Sequence, residues 1–348
     1  MIATKKSLAK TFKYASLLLL LIFSQCSGPT EPPKPVEIKD PADYIWTIDT
    51  LQYTPHDQTV MNNIWGNTPD NIYIVGHCSN SNGEIWHFNG KSWSVVTLPI
   101  AQRSLNGIYG FSSNDIWAVG GKGQNSYDNS YVLHFNGFSW NEIDLNAGQV
   151  LITVWGANSE DVWTGGVNNL FHFDGTNWKK VISYDQAYNY QFTSIGGLSK
   201  NNVYFINNDI INYPQNIIRR MYHFDGDSIM VVDSTGNVAN GGLPKFGALI
   251  EVIGGNLYST ATGVFKKVDN NWEIVLNDTR IFRVAGTKSD HIFAGGDGQS
   301  IYYYDGSNWQ NLIPFPNFNA AIYGIQAFDN EVFILAHDGW KTYVLHGK

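Results

Sequence analysis

The apolar positions of this chain fall into short runs that recur along most of its length. One run, Asn71-Ile72-Tyr73-Ile74-Val75-Gly76, is almost continuously apolar, as expected of a strand covered on both faces. Each such run follows a shorter strand that ends in an aromatic residue and glycine: Trp65-Gly66, Tyr109-Gly110, Trp155-Gly156 and Tyr323-Gly324. Helical periodicity is not evident from residue 44 onward. The chain is therefore predicted to be all-β.

Two further strands complete each repeating unit. The third ends in Asn-Gly or Asp-Gly: Asn89-Gly90, Asn136-Gly137, Asp174-Gly175, Asp225-Gly226 and Asp305-Gly306. These pairs predict type I′ hairpin turns, in which both central residues have positive φ. The fourth strand opens with tryptophan, at Trp93, Trp140, Trp178, Trp272 and Trp309. Four antiparallel strands repeating every ~37 to 51 residues predict a β-propeller.

The number of units and the two ends of the repeat predict how the propeller closes. Units begin near Met61, Leu105, Leu151, Phe192, Phe246, Ile281 and Ala320, which predicts seven four-stranded blades. The seventh unit stops at Thr342–Lys348 and lacks the tryptophan strand. Residues 44–53, YIWTIDTLQY, match the fourth strand in residues 92–99 and have no earlier strands of their own. We expect residues 44–53 to join the last blade, which closes the ring and protects the sheet edges.

The repeat resembles a known family of bacterial propeller proteins. "VWGANSEDVWTGGVNNLFHFDGTNW" (Val154–Trp178) is similar to the repeat W-G-x-S-x-x-D-V-W-A-V-G … H-F-D-G-x-x-W of secreted and lipid-anchored β-propellers. That repeat is distantly similar to the Asp-box repeats of sialidases, although Asp174 and Gly175 are adjacent where the Asp box separates them by one residue. The resemblance covers residues 44–348 and implies an exported propeller.

The N-terminus predicts export and lipid attachment. Residues 1–25 hold four lysines followed by the apolar run Ala15–Phe23, which is shorter than the ~20 residues that span a bilayer. The following Phe23-Ser24-Gln25-Cys26-Ser27 resembles the lipobox of bacterial lipoproteins, in which the cysteine is lipidated. Gln25 departs from the small residue usual at its position, and a plain signal peptide cut nearby is the alternative. Residues 26–43 are Pro-rich and read as a tether before a propeller at 44–348.

Charge and cysteine content narrow the expected location and partners. The formal charge is −8, and residues 1–25 carry four of the 22 Lys and Arg residues and none of the 30 Asp and Glu residues, so the remainder carries −12. This acidity argues against nucleic acid or an anionic membrane surface as a partner. With Cys26 lipidated, Cys78 has no partner for a disulfide. We expect a monomer in the bacterial cell envelope, held by its lipid alone, with the outer membrane as the preferred site.

Two patterns that could bind metal have structural explanations. The recurring histidines His87, His134, His172 and His223 occupy equivalent places on different blades, so they cannot converge on one ion. Asp225-Gly226-Asp227 fits the Asp-x-Asp string of many glycosyltransferases, but Asp225-Gly226 fills the hairpin position of its unit. We therefore predict no metal site and no cofactor.

The long insertions all fall on one side of the predicted ring. In a propeller, the connections from strand 2 to strand 3 and from strand 4 to the next blade share one face, which we call the loop face. The insertions there are His77–Gly83, Gly121–Tyr131, Ser183–Phe192, Asn207–Arg220 and Ser234–Phe246. Variable loops on a rigid scaffold are where binding sites are usually built. The candidate ligand-binding residues on this face are Arg103, Tyr188, Tyr190, Tyr213, Arg219, Arg220, Arg280 and Arg283.

Three functions are compatible with these features. The first is non-catalytic binding of a glycan or protein partner, because tyrosines offer flat apolar area with a polar tip. The second, implied by the sialidase resemblance, is a glycan-active enzyme in which Arg103, Arg280 and Arg283 hold an acidic sugar. The third is a structural or assembly factor of an envelope complex.

Overall fold

The structure is a computed structural model that describes residues 37–53, 58–79, 85–98, 103–122, 129–146, 148–185, 189–210, 217–237, 244–298 and 300–348. These residues form 28 strands in seven four-stranded antiparallel sheets, in agreement with the predicted all-β propeller. A 3₁₀ turn at Pro41–Asp43 precedes the first strand, and Asp40 caps it by accepting a hydrogen bond from the backbone N–H of Ala42. No helix within the described ranges is long and apolar enough to cross a bilayer.

Each of the first six blades is built from four consecutive strands. Blade 1 contains β2 (Thr59–Thr68), β3 (Asn71–Cys78), β4 (Ile85–Phe88) and β5 (Trp93–Val95). Blade 2 contains β6 (Arg103–Ser112), β7 (Asp115–Lys122), β8 (Ser130–Phe135) and β9 (Trp140–Ile143). Blade 3 contains β10 (Leu151–Asn158), β11 (Asp161–Gly166), β12 (Asn169–Phe173) and β13 (Trp178–Ser183).

Blades 4 to 6 follow the same order along the chain. Blade 4 contains β14 (Asn189–Ser199), β15 (Asn202–Ile210), β16 (Ile217–Phe224) and β17 (Ile229–Asn237). Blade 5 contains β18 (Leu249–Ile253), β19 (Asn256–Thr260), β20 (Val264–Val268) and β21 (Asn271–Leu276). Blade 6 contains β22 (Ile281–Lys288), β23 (His291–Gly296), β24 (Ile301–Tyr304) and β25 (Trp309–Leu312).

The seventh blade joins the two ends of the propeller. It contains β26 (Ala321–Ala327), β27 (Val332–His337), β28 (Thr342–Gly347) and, as its fourth strand, β1 (Trp46–Leu51). β1 pairs antiparallel with β28 from Trp46↔Gly347 to Leu51↔Thr342, so the predicted closure by residues 44–53 is confirmed. The rings of Trp46 lie so close to Gly347 that an added Cβ there would stand 2.9 Å from the indole.

The hydrophobic core lies between the blades rather than at the centre of the ring. Seven separate clusters of buried apolar side chains occur, one between each pair of neighbouring blades. The cluster between blades 7 and 1 includes Leu51 of the closing strand, Met61 of β2 and Phe333 of β27. Burying apolar area on both faces of each sheet explains why the second strands are almost continuously apolar.

The hairpins between strands 3 and 4 lie where they are predicted, but the predicted turn type is wrong. The glycines of these pairs have φ of +85° to +100°, whereas the preceding Asn or Asp residues do not have positive φ. The Asn89 backbone N–H donates to the Ser92 carbonyl, and its side-chain Oδ1 accepts from the N–H groups of Lys91 and Ser92. Glycine therefore takes the first central position of the turn, as in type II′ hairpins. The Asn or Asp side chain replaces a backbone acceptor.

Two other sequence assignments also change. Tyr323 lies at a β-bulge between Ile322 and Gly324, so Tyr323-Gly324 is not equivalent to Trp65-Gly66, and Gln326 occupies the register position of Trp65 instead. The predicted insertion at Asn207–Arg220 consists in large part of strand, because β15 and β16 remain paired from Val203↔Phe224 to Ile210↔Ile217. Isoleucines at both ends of this extension favour continued pairing over a loop.

Candidate functional site

The first strands of the seven blades line a central channel of about 750 Å³. Six of these strands carry a β-bulge near their loop-face end, and β18 does not. Three bulged residues donate a side-chain hydrogen bond to a backbone carbonyl of the next blade: Asn62 to Leu105 (2.9 Å), Asn106 to Leu151 (2.8 Å) and Thr193 to Ala248 (2.9 Å). The polar groups at these points are therefore used to join blades.

At a second register position of the first strands, one side of the channel carries aromatic residues and the other side does not. In blades 1, 2 and 3 it holds Trp65, Tyr109 and Trp155, each opposite an aromatic residue of the second strand. Trp65 lies against Gly110 of blade 2 and Trp155 against Gly197 of blade 4, where an added Cβ would stand 2.6 Å from the indole. In blades 4, 5, 6 and 7 the same position holds Gly196, Glu251, Ala285 and Gln326.

Glu251 brings a carboxylate into the channel where the other blades carry aromatic or neutral residues. Its side chain is exposed to the lumen, but protein surrounds the lumen, and the resulting loss of hydration raises the pKa of the carboxyl group to about 7. Arg283, on blade 6, opposes this shift by its positive charge. Among the described residues, Glu251 has neither a hydrogen-bond partner nor an ion-pair partner within 4.0 Å.

Two polar side chains from other blades face Glu251. Tyr109, three blades away, has its pKa raised to about 12 by burial and, more weakly, by the charge of Glu251. Arg283 donates from Nε to the Tyr323 carbonyl (2.6 Å) and from Nη1 to the Phe282 carbonyl (2.9 Å). Burial lowers the pKa of its guanidinium to about 10, so it stays protonated at neutral pH. A carboxylate, a phenol and a guanidinium therefore converge on the channel from blades 5, 2 and 6.

On the loop face, the structure brings together two of the predicted site residues, Tyr190 and Arg220. The ring of Tyr190 stacks on Tyr184 with 4.0 Å between centroids, and the Tyr184 hydroxyl is 2.7 Å from that of Tyr222. Arg220 forms an ion pair with the buried carboxylate of Asp209 and lies near Tyr222 and Tyr190. We call these five residues the tyrosine–arginine cluster.

The other predicted arginines lie apart and contact different groups. Arg219 is buried, donates to the side chain of Asn208 (3.1 Å) and the carbonyl of Phe246 (3.3 Å), and has its pKa lowered to about 10 by burial. Arg280 is exposed and is paired with Asp278 (2.6 Å), which holds the pKa of that carboxyl below its usual range. Arg103 is the first residue of β6. Cys26, Tyr188 and Tyr213 lie outside the described residues.

The recurring histidines have structural partners. His87, His134, His172 and His223 each approach an Asn or Asp side chain at the start of strand 2, at 2.7–3.3 Å. Each also stacks on an aromatic ring of that strand, with 3.9–4.4 Å between centroids. Within the described ranges no group of three or more His, Cys, Asp or Glu side chains is placed to hold a metal ion.

Sequence reasoning overlooked Glu251. The stretch "LIEVIGGN" has no aromatic-glycine pair, so the fifth unit offered no fixed point from which to align its first strand. The pairing Glu251↔Tyr258 corresponds to Trp65↔Tyr73, and this equivalence depends on β18 having no bulge. A missing bulge leaves no local sequence pattern, which is why the structure was needed to identify the residue.

Comparisons with known proteins support the fold and nothing finer. No protein-family model and no curated protein sequence matches the chain. The solved structure "YCF48 bound to D1 peptide" is similar with a TM-score of 0.59 and 14% identity, over 87% of this chain and 95% of the other. The designed Ika8 protein is similar with a TM-score of 0.53 and 12% identity, over 81% of this chain and 82% of the other. The WD40 β-propeller domain of Doa1 is similar with a TM-score of 0.52 and 9% identity, over 86% of this chain and 96% of the other. The chain is a seven-bladed β-propeller.

Proposed function

We propose that this protein is a non-catalytic binding protein of the bacterial cell envelope. A lipid on Cys26 anchors it, residues 26–43 tether it, and the loop face binds a segment of a partner protein. The tyrosine–arginine cluster carries this proposal. It places two stacked tyrosine rings beside an arginine at the loop-face edge of blade 4.

The composition of the cluster favours a protein partner. Tyrosine and arginine are enriched among the residues that dominate the binding energy of protein interfaces. The ion pair between Arg220 and Asp209 and the stacking of Tyr190 on Tyr184 hold these side chains in place before binding. Binding to a preordered surface loses little side-chain entropy, so more of the contact energy remains as affinity.

The similarity to the structure of YCF48 with a D1 peptide adds support of a general kind. That structure has a peptide bound to a propeller. At 14% identity the two proteins share a fold, so the likeness makes a peptide segment a reasonable class of ligand without identifying the partner.

The experiment compares two aromatic residues on opposite faces. A photo-reactive phenylalanine analogue is placed at Tyr190, on the loop face, or at Phe138, which is 95% exposed on the opposite face. We expect light-dependent crosslinks from position 190 to one envelope protein. In a pull-down from envelopes, Tyr190→Ala should no longer retain that protein, whereas Phe138→Ala should retain it.

Three results would contradict the proposal. Crosslinks from position 138 alone would place the interface on the opposite face. A specific glycan-array signal that is lost in Tyr190→Ala, without a protein crosslink, would make the ligand a carbohydrate. Turnover of an anionic glycan by the folded protein would make it an enzyme. Thermal unfolding of each variant checks that it is folded.

The lipid anchor is tested separately. Cys26→Ser should abolish incorporation of a labelled fatty acid and release the protein from envelope membranes. Cys78→Ser is the matched control, because Cys78 is buried in blade 1. Membrane retention and labelling of the Cys26→Ser protein would refute the anchor.

A further inference from the structure

The central channel holds two opposite charges that do not neutralise each other by contact. Glu251 enters from blade 5 and Arg283 from blade 6, and they interact electrostatically without an ion pair within 4.0 Å among the described residues. Arg283 is held away from blade 5, because its Nε and Nη1 atoms donate to carbonyls of Tyr323 and Phe282. Its Nη2 atom has no hydrogen-bond partner within the described residues and remains able to donate.

The Glu251 carboxylate has no direct partner among the described residues, although protein lines the channel around it. A charge whose hydration is reduced by surrounding protein is normally compensated by a direct partner. Within the channel, the bulged residues Asn62, Asn106 and Thr193 donate to backbone carbonyls of neighbouring blades. Glu251 takes part in no such interaction and so contributes no contact that joins blades. The Glu251 carboxylate is therefore expected to interact with a ligand that enters the channel.

The arrangement of charges defines what the channel can accept. A ligand with a single charge would be attracted by one of the two groups and repelled by the other. A ligand with a positive and a negative end gains from both. Tyr109 of blade 2 and Trp155 of blade 3 line the channel at the same register position as Glu251, and aromatic rings attract ammonium groups.

We propose that the central channel binds a small zwitterion of the amino-acid class. Its ammonium group pairs with Glu251, and its carboxylate accepts hydrogen bonds from Arg283. The volume of about 750 Å³ holds such a molecule together with water. This site is distinct from the loop face and does not depend on the proposed partner.

The test is calorimetric titration of the mature chain in detergent with free amino acids. Glycine, leucine and γ-aminobutyrate vary size and charge separation, and glycinamide and N-acetylglycine each lack one charge. We expect at least one zwitterion to bind and its singly charged analogues to bind about ten-fold more weakly or not at all. Glu251→Gln should cause a similar loss, because it keeps the shape of the side chain and removes its charge.

A matched variant and a pH series separate this site from unspecific effects. Glu273→Gln makes the same chemical change on the exposed outer strand of blade 5 and should leave the affinity unchanged. Arg283 and the tyrosines Tyr109 and Tyr323 are the other titratable groups of the lining, and β14 contributes none. Affinity should therefore rise as Glu251 loses its proton near pH 7, and this rise should be absent in Glu251→Gln.

Two outcomes would overturn the proposal. One is that no zwitterion of the panel binds. The other is binding that Glu251→Gln leaves unchanged, which would place the ligand elsewhere. Tyr190→Ala distinguishes the two sites, because it should weaken partner binding and leave amino-acid binding intact.

Discussion

Blades 1 to 3 and blades 4 to 6 use one register position of the innermost strand in different ways. In the first group, Trp65, Tyr109 and Trp155 occupy it and belong to the apolar contacts with the following blade. In the second group, Gly196, Glu251 and Ala285 occupy it and do not make such contacts among the described residues. In blade 7, Gln326 joins the next blade through a hydrogen bond that it accepts from Gly66.

The repeat keeps an aromatic residue at this register position in blades 1 to 3 and varies the residue in blades 4 to 7. The repeated aromatic residue stabilises the contact between two blades, so each copy is constrained by its neighbour. Where the ring is held by other contacts, such as the side chain of Thr260 on the Phe282 carbonyl (3.1 Å), the position is free to carry a charge. The channel is therefore structural on one side and chemically distinct on the other.

The largest expected effect is the loss of an aromatic contact in the first group. Trp65→Ala removes an indole that packs against Gly110 and the core between blades 1 and 2. We expect a loss of about 3 kcal/mol in the free energy of unfolding, measured by denaturant titration. Ala285→Gly, at the same register position of blade 6, should cost about 1 kcal/mol or less. Equal losses at both positions would contradict the comparison.

The glycine that receives the indole should be almost as sensitive. A Cβ at Gly110 would lie 2.6 Å from Trp65, so Gly110→Ala forces the ring or the backbone to move. We expect a loss of about 2 kcal/mol from overpacking. Gly236→Ala is the control, because nothing lies within 4 Å of a Cβ there. The same destabilisation in both variants would mean that glycine flexibility, and not the tryptophan, sets the cost.

The histidines give a smaller contrast between the groups. His87 in blade 1 is 2.7 Å from the Asn71 side chain and stacks on Tyr73, and His87→Ala should cost about 1.5 kcal/mol. Lys266 in blade 5 takes the corresponding place over Tyr258, at 5.8 Å from the ring centroid. Lys266→Ala should cost about 0.5 kcal/mol, as a cation–π contact at a partly exposed site. Chemical denaturation at neutral pH measures the loss of unfolding free energy in each variant. Equal losses would contradict the expected difference between the two positions.

A smaller effect than at His87 is expected at Glu251, and it depends on pH. Its pKa in the folded protein, about 7, lies above the ordinary value of 4.5, so the stability associated with its protonated form is present below 4.5 and is lost as pH rises to 7. Glu251→Gln should therefore be about 1 kcal/mol more stable than the parent at about pH 8 and similar to it at about pH 4. This figure lies well below the full shift because the carboxylate is open to channel water. Glu273→Gln, on the outer strand of the same blade, is the matched control.

The sequence predicts the architecture of this protein far better than its chemistry. Trp46 aligns with Trp93 because both open a fourth strand, and that alignment alone predicts the closure of the ring. The Asn-Gly pairs mark the hairpins but not their turn type, since the side-chain acceptor of Asn89 lets glycine take the first central position. Residues that recur from blade to blade can be recognised in the sequence. A glutamate at this register position occurs in blade 5 only.

For the candidate arginines, the sequence does not predict the direction of the side chains. Arg219, Arg220, Arg280 and Arg283 were assigned to one face from strand order, which fixes height along the propeller axis and not the direction of a side chain. Alternation along β16 turns Arg219 towards Phe246 of blade 5 and Arg220 towards Asp209. Such directions follow from register, and a shift by one residue reverses them.

The pairing of β1 with β28 has a consequence for the order in which the protein can fold. β1 is synthesised before the other strands of all seven blades, whereas its partner β28 follows the other described strands along the chain. Six blades can pair within themselves as they emerge, but the core between blades 7 and 1 cannot form until Val344 meets Leu51. Closing so long a loop is slow, because its entropy cost comes before any contact is gained. The ring can therefore close only after β28 has been made, and a chain interrupted before Thr342 would remain open.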